Sequence, residues 1–300
     1  MDLMGYYSLF WVCIIGLCLG SFYNVVILRT LSDESIIFPP SKCPKCNHKL
    51  YWWHNIPVLS FILLRGKCYF CKEKISLQYP IIELLSMGMF AFIYLNFGLT
   101  LKALFIAIWV SCLLIMCVTD LKEKIVDCNI AIIMAASGCI YQFVTGGWHA
   151  LILSVLGIIA GAFILEIIAR LGYLIAGGRA MGEADTYVAG ALGAIAGINN
   201  IIPVLLYGFV ASMLFIIPSF LYQKYTSNDK KTCILLVLFM LFVVYFKTLN
   251  QGYISLLAVI ITGAALAASV MKSIRNEENR SYIPYVPALA LGGLYFIMSM

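Results

Sequence analysis

Two aspartates stand at the ends of stretches otherwise fit for lipid, Asp120 in "CVTDLKEKIVD" and Asp185 in "MGEADTYVAG". Carboxylates at a membrane boundary are costly and mark either chemistry or an ion path. If their helices pack together, the two acids meet at one depth, and like charges at close range share one proton. The charged member then acts as general base on a water, while the protonated one polarises a scissile carbonyl. Other readings stay open at this point. Asp120 could be an interfacial charge answered by Lys122 or Lys124, and Asp185 could be the N-cap of the helix that follows it. Asp127 lies seven residues beyond Asp120, about 10 Å away on a continuing helix and too far for a shared proton. Glu83 and Glu166 also lie near or within apolar runs, so the acids alone fit a peptidase and a proton-coupled transporter equally.

A second chemistry is written in "KCPKCNHKLYWWHNIPVLSFILLRGKCYFCKEK". Cys43 and Cys46 form one C-x2-C, Cys68 and Cys71 another, with 21 residues between the pairs. Four thiolates on two such knuckles close tetrahedrally around Zn2+ and leave no open position, so the site is structural, not catalytic. The separation is just beyond the usual range of about 15–20 residues. A reducing cytoplasm keeps these thiols free of disulfides. With four cysteines present, His48 and His54 are expected at the surface and not on the metal. The other seven cysteines lie in or beside apolar runs, where cysteine is a small hydrophobe.

The elements that must position these groups are membrane helices. The 300 residues are 63% hydrophobic and 11% charged, with mean hydropathy +0.97, whereas soluble domains carry about 25% charged residues. The expected fold is an all-α polytopic membrane protein of about 8–10 transmembrane helices with a small cytoplasmic zinc-binding loop domain. Apolar runs fall at 6–28, 80–97, 101–119, 128–145, 149–176, 186–198, 201–223, 232–249, 252–271 and 283–300. The first lacks a basic n-region and is too long for a signal-peptide core, so it reads as a retained span. The run 186–198 is short and rich in Gly and Ala, the composition of a tightly packed helix.

Lys and Arg set the orientation. With the N-terminus outside, 18 of the 20 basic residues fall on the inner side, leaving Lys102 and Lys247 outside. Both Asp120 and Asp185 then lie at cytoplasmic helix ends. The expected organisation is a first helix (1–28), a cytoplasmic four-cysteine loop (29–79) and a bundle (80–300).

Several segments together resemble the bacterial type IV prepilin peptidases, intramembrane aspartic peptidases of the G-x-G-D kind. "GSFYNVVILR" is similar to the signature closing their first helix, and "IPVLSFILLRGKCYFCKEKISLQYPIIELL" to their cytoplasmic segment and second helix. Asp120 stands where the family has its first catalytic aspartate, "MGEAD" where it has the motif with the second, and "YIPYVPALALGG" resembles its closing I-P-F-G-P segment. The resemblance spans most of the chain and implies an endopeptidase that removes the basic leader of prepilins and pseudopilins at the cytoplasmic face of the bacterial inner membrane. It also implies N-methylation of the new N-terminus with S-adenosylmethionine as methyl donor.

The roles so implied are Asp120 and Asp185 as catalytic pair, and Cys43, Cys46, Cys68 and Cys71 on zinc. Asn24, Glu83 and Gly182 fall in the substrate or methyl-transfer region; Asn24 as a helix-packing hydrogen bond and Glu83 as a partner for a loop lysine are the plainer alternatives. The expected partners are prepilins and the lipid bilayer, with no nucleic acid. The pattern is departed from at three places. Ala184 replaces the second glycine of G-x-G-D, Ile125-Val126-Asp127 replaces I-P-D, and roughly two extra helices fall between 200 and 250. The competing functions are a proton-coupled transporter using Asp120, Asp185 and Glu166, and, from Ala184, a non-catalytic assembly factor on the same fold.

Overall fold

The computed structural model describes residues 3–32, 34–38, 40–176, 182–226 and 285–299, and their regular structure is helical. The helices are α1 (Leu3–Ser32), α2 (Leu59–Leu63), α3 (Gln78–Phe97), α4 (Leu101–Glu123), α5 (Cys128–Ala176), α6 (Glu183–Thr226) and α7 (Val286–Ser299). Five of them, α1, α3, α4, α5 and α6, are long and apolar enough to cross a membrane. The chain is a multi-pass membrane protein.

Two of these long helices are folded double. Gly147 (φ 64°, ψ −157°) interrupts α5 and Gly197 (φ 68°, ψ 171°) interrupts α6. Gly98, where α3 gives way to α4, has the same geometry at φ 63°, ψ −158°. Positive φ is open to glycine without a Cβ clash, so a helix can stop there and restart in another direction. Ser154 Oγ donates to Cys139 Sγ at 3.3 Å; on an unbroken helix those residues would stand about 22 Å apart. Gly161 lies against both Ala189 and Ile201, which reports the same reversal in α6. The expected runs 128–145 and 149–176 are therefore the two arms of α5, and 186–198 and 201–223 the two arms of α6. The expected spans 232–249 and 252–271 lie outside the described residues.

The core is built around α4. Ile106, Trp109, Leu113 and Met116 are fully enclosed, and α4 packs on α1, α3, α5 and α7. Most polar groups inside are paired, as burial demands: Tyr23 Oη meets Ser111 Oγ at 2.6 Å, and Trp109 Nε1 donates to Ser137 Oγ at 3.1 Å, whereas Ser86 Oγ on α3 is buried without a partner among the described residues. The α5–α6 seam depends on small residues. Gly157 and Gly193 face each other so closely that a Cβ on either would collide with the other's carbonyl, which accounts for the glycine and alanine content of 186–198. Three reversals at Gly98, Gly147 and Gly197 lie at one end of the bundle. The end of α4 and the starts of α5, α6 and α7 therefore gather at the other.

Candidate active site and metal centre

Asp120 occupies the last turn of α4, and Asp185 the first turn of α6. Both are almost fully buried, at 4% and 5% exposure, and they interact electrostatically with each other. Each is anchored by one backbone amide. Val286, the first residue of α7, donates its N–H to Asp120 Oδ2 at 3.1 Å, across 166 residues of chain. Gly182 donates its N–H to Asp185 Oδ2 at 3.0 Å.

Asp185 is not the N-cap. It is the third residue of α6 and reaches back to the amide of the residue before the helix, the acid's half of a capping box. Asp120 is likewise not simply neutralised by its neighbours. Lys124, in the left-handed conformation that ends α4, does attract it, but its oxygen is committed to Val286. Tyr285 joins them: it is buried and interacts electrostatically with Asp185.

The other acids go elsewhere. Asp127 Oδ1 accepts the Asn129 amide at 2.8 Å at the start of α5, a helix cap. Glu166 pairs with Arg170 one turn away at 2.8 Å. Ala184 lies within α6 with ordinary helical backbone, so no positive φ is demanded where the family pattern has glycine. At Gly182 a Cβ would meet Asp185 Oδ2 at 3.7 Å, an ordinary contact; neither φ nor crowding among the described residues explains glycine there.

The four cysteines converge. The sulfurs of Cys43, Cys46, Cys68 and Cys71 all lie within 4.8 Å of one another, close to the sulfur spacing of about 3.8 Å that tetrahedral Zn–S bonds of ~2.3 Å require. The donor set fits zinc. Two matching knuckles form it. Cys43 N–H donates to the His48 carbonyl and Asn47 N–H to that of Cys43; Cys68 N–H donates to Glu73 and Lys72 N–H to Cys68. The turns run through positive φ at Asn47 and Lys72, at 56° and 60°. The clustered thiols drive one another's pKa values apart. Although burial opposes ionisation, the Cys71 and Phe70 amides and the neighbouring thiols bring the Cys68 thiol down to about 7, while, against the Glu73 amide, burial and its own thiol neighbours push the Cys71 thiol up to about 11.

His54 is not a surface residue. It is buried among Tyr51, Trp53, Tyr69 and Phe70, and its Nδ1 accepts the Tyr51 amide at 3.2 Å. That burial lowers its pKa. His48 is exposed and stacks on Phe70 at 4.7 Å.

Asn24 and Glu83 both lie at the α1–α3 contact beneath this loop. Asn24 is fully buried, donates to the Tyr79 carbonyl at 3.2 Å and accepts from Gln78 Nε2 at 3.4 Å. Glu83 takes no loop lysine; its Oε2 accepts the Val58 amide at 2.7 Å. Asn24 thus ties α1 to the first turn of α3, and Glu83 ties the loop to the bundle; both lie on different elements from the aspartate pair.

Two family models match the chain, the Bacterial Peptidase A24 N-terminal domain over residues 14–97 and the Type IV leader peptidase family over residues 105–217. Its relatives include several named prepilin leader peptidase/N-methyltransferase. The Myxococcus xanthus protein is 34% identical over 194 residues, covering 65% of this chain and 58% of its own length. The Neisseria gonorrhoeae protein is 33% identical over 225 residues, with 67% of this chain and 77% of its own length covered. That of Bacillus subtilis is 32% identical over 206 residues, covering 67% and 79%. This chain belongs to the type IV leader peptidase family. No solved structure matches it.

As a member of that family it is a peptidase, and the transporter reading loses its support. Glu166, the third acid of that reading, is paired with Arg170. Sequence reasoning passed over the amide of Val286. The only signal was the family-like segment around it, to which no task had been assigned.

Proposed function

We propose that this chain is a membrane aspartic endopeptidase cleaving the basic leader from type IV prepilins and pseudopilins, with Asp120 and Asp185 as its catalytic pair, and that it also N-methylates the new N-terminus. One observation carries the reading: two buried acids from different helices meet within a chain that matches the leader peptidase family. Each carboxylate commits Oδ2 to a backbone amide, which fixes its plane and leaves Oδ1 for water and substrate. The ionised member removes a proton from water as the oxygen adds to the scissile carbonyl carbon, while the protonated member donates a hydrogen bond to the carbonyl oxygen. When the tetrahedral carbon collapses, the C–N bond breaks and the proton taken from water passes to the leaving amine.

The basic-residue count supports an outside N-terminus and a site at the cytoplasmic face of the bacterial inner membrane. A Lys/Arg leader joined to an apolar helix presents its cleavage point at that level, and the acids attract its charge. Cys43, Cys46, Cys68 and Cys71 would hold zinc as a brace for the loop, which is too small to fold on an apolar core of its own. S-adenosylmethionine enters as co-substrate, the source of the methyl group.

Incubating the purified protein with a prepilin, with and without S-adenosylmethionine, tests both activities by product N-terminus and mass. A leader-free product, absent with Asp120→Asn or Asp185→Asn, is expected, with one added methyl when the donor is present. Intact prepilin with folded, metal-loaded enzyme overturns the peptidase reading. Cleaved but unmethylated product overturns the methyl-transfer part alone.

A further inference from the structure

The segment following the first cysteine pair is held at an unexpected depth. Val58 has φ 59°, ψ −46°, and Leu59 N–H turns back to the Pro57 carbonyl, a γ-turn of the rare positive-φ kind. A β-branched residue does not adopt that backbone unless its surroundings enforce it. Here the enforcing contact is Glu83, which takes the Val58 amide at 2.7 Å. Glu83 is the sixth residue of α3, roughly 7 Å along the axis from its start. The 20 residues of α3 measure about 30 Å, the thickness of the hydrocarbon layer. Val58 is therefore pinned level with Ile81, Leu84 and Leu85, large apolar side chains that α3 leaves uncovered by protein.

The helix α2 begins at the next residue and is apolar and exposed at the same level. Leu59, Ile62 and Leu63 are 49%, 63% and 67% exposed. Most of the backbone amides around them are paired. The amides of Val58, Leu59, Ser60, Ile62 and Leu64 all reach protein acceptors, and so do those of the exit turn from Arg65 to Lys67. Satisfied backbone is what a segment facing lipid needs. At the exit, Arg65 and Lys67 are exposed, and residues 40–77 hold seven basic side chains against one acidic. Apolar side chains bordered by cations fit an anionic lipid surface.

We infer that α2 is an interfacial membrane element. Leu59, Ile62 and Leu63 enter the acyl-chain boundary of the leaflet at that end of the bundle, and Arg65 and Lys67 reach its anionic headgroups. Which leaflet this is rests on the proposed orientation; the insertion does not. The Glu83–Val58 bond sets the depth, and the lipid covers the apolar face that the protein leaves open. The zinc loop is thereby a platform seated on the bilayer, not a domain hanging free of it.

The test is lipid photolabelling of the full-length protein in nanodiscs of phosphatidylcholine containing phosphatidylglycerol. A diazirine amino acid is placed at position 62 or 63 and, as control, at exposed Lys45, with adducts read by mass spectrometry. Lipid adducts several-fold more abundant at 62 and 63 than at 45 are expected, with a lower yield when phosphatidylglycerol is omitted. Yields equal to the control, or adducts mainly with a second copy or a prepilin, overturn the insertion. A yield indifferent to phosphatidylglycerol overturns the anionic preference. Should label at 62 cost bound metal, position 59 replaces it. No turnover is needed, so an inactive but folded preparation tests this inference independently of the peptidase reading.

Discussion

Asp120 and Asp185 each accept one amide through a single oxygen, and an asparagine side chain retains an oxygen able to do the same. Asp120→Asn and Asp185→Asn should therefore leave thermal stability nearly unchanged while removing the ionisable group. Prepilin cleavage is expected to fall on the order of 10³-fold for each, the scale of lost general acid–base catalysis, and the double variant to fall no further. A melting curve beside a cleavage assay checks both halves. Ala184 invites the opposite substitution, since the family pattern has glycine there. Because Ala184 is helical, Ala184→Gly should cost stability, up to about 1 kcal/mol, without raising activity. A gain in cleavage would show that the alanine does restrict the site.

At the scale of the element, the loop and the aspartate site have separate supports. The acids are held by α4, α6 and α7, while the knuckles depend on four thiols. Chelation, or Cys68→Ser, should strip the metal and lower hydrogen-exchange protection across 42–74 while cleavage persists. His54 adds a pH dependence to the same element. Burial lowers its pKa in the folded loop, so the unfolded loop binds the proton more readily. Its contribution is complete above the ordinary histidine value of about 6.5 and is lost as pH falls through the lower folded value. Exchange protection at 51–55 should weaken on acidification, and His54→Phe should flatten that trend. An unchanged trend in His54→Phe would assign it to the thiolates instead.

For the whole molecule, the position of Asp185 depends on how closely α5 and α6 approach. A methyl group at Gly157 or Gly193 would drive the carbonyl of the other away and carry the start of α6 with it. Either Gly→Ala change is expected to reduce cleavage far from the chemistry, with metal content intact, because small displacements of reacting groups are costly. Normal cleavage in Gly193→Ala would mean that the seam can open without moving Asp185.

Much of this arrangement is local and could be read along the chain. Long apolar runs ending in charge identify the spans, because crossing the hydrocarbon demands a stretch of nonpolar side chains. The C-x2-C pairs announce a metal knuckle because ligand spacing within each pair is a property of one turn. Hairpins at Gly147 and Gly197 were legible as breaks between runs. What decides among the acids is not local. Asp120, Asp127, Glu83 and Glu166 look alike in their own segments, yet one meets Asp185, one caps a helix, one pins a strained turn, and one pairs with an arginine. Those fates depend on which helix ends share a level and a neighbour, as when Val286 delivers its amide to Asp120 from 166 residues away. Sequence alone determined which side chains could do the chemistry and at which end of the bundle. Only the tertiary structure brought two of them together, because an electrostatic pair exists through distance in space and not through spacing along the chain.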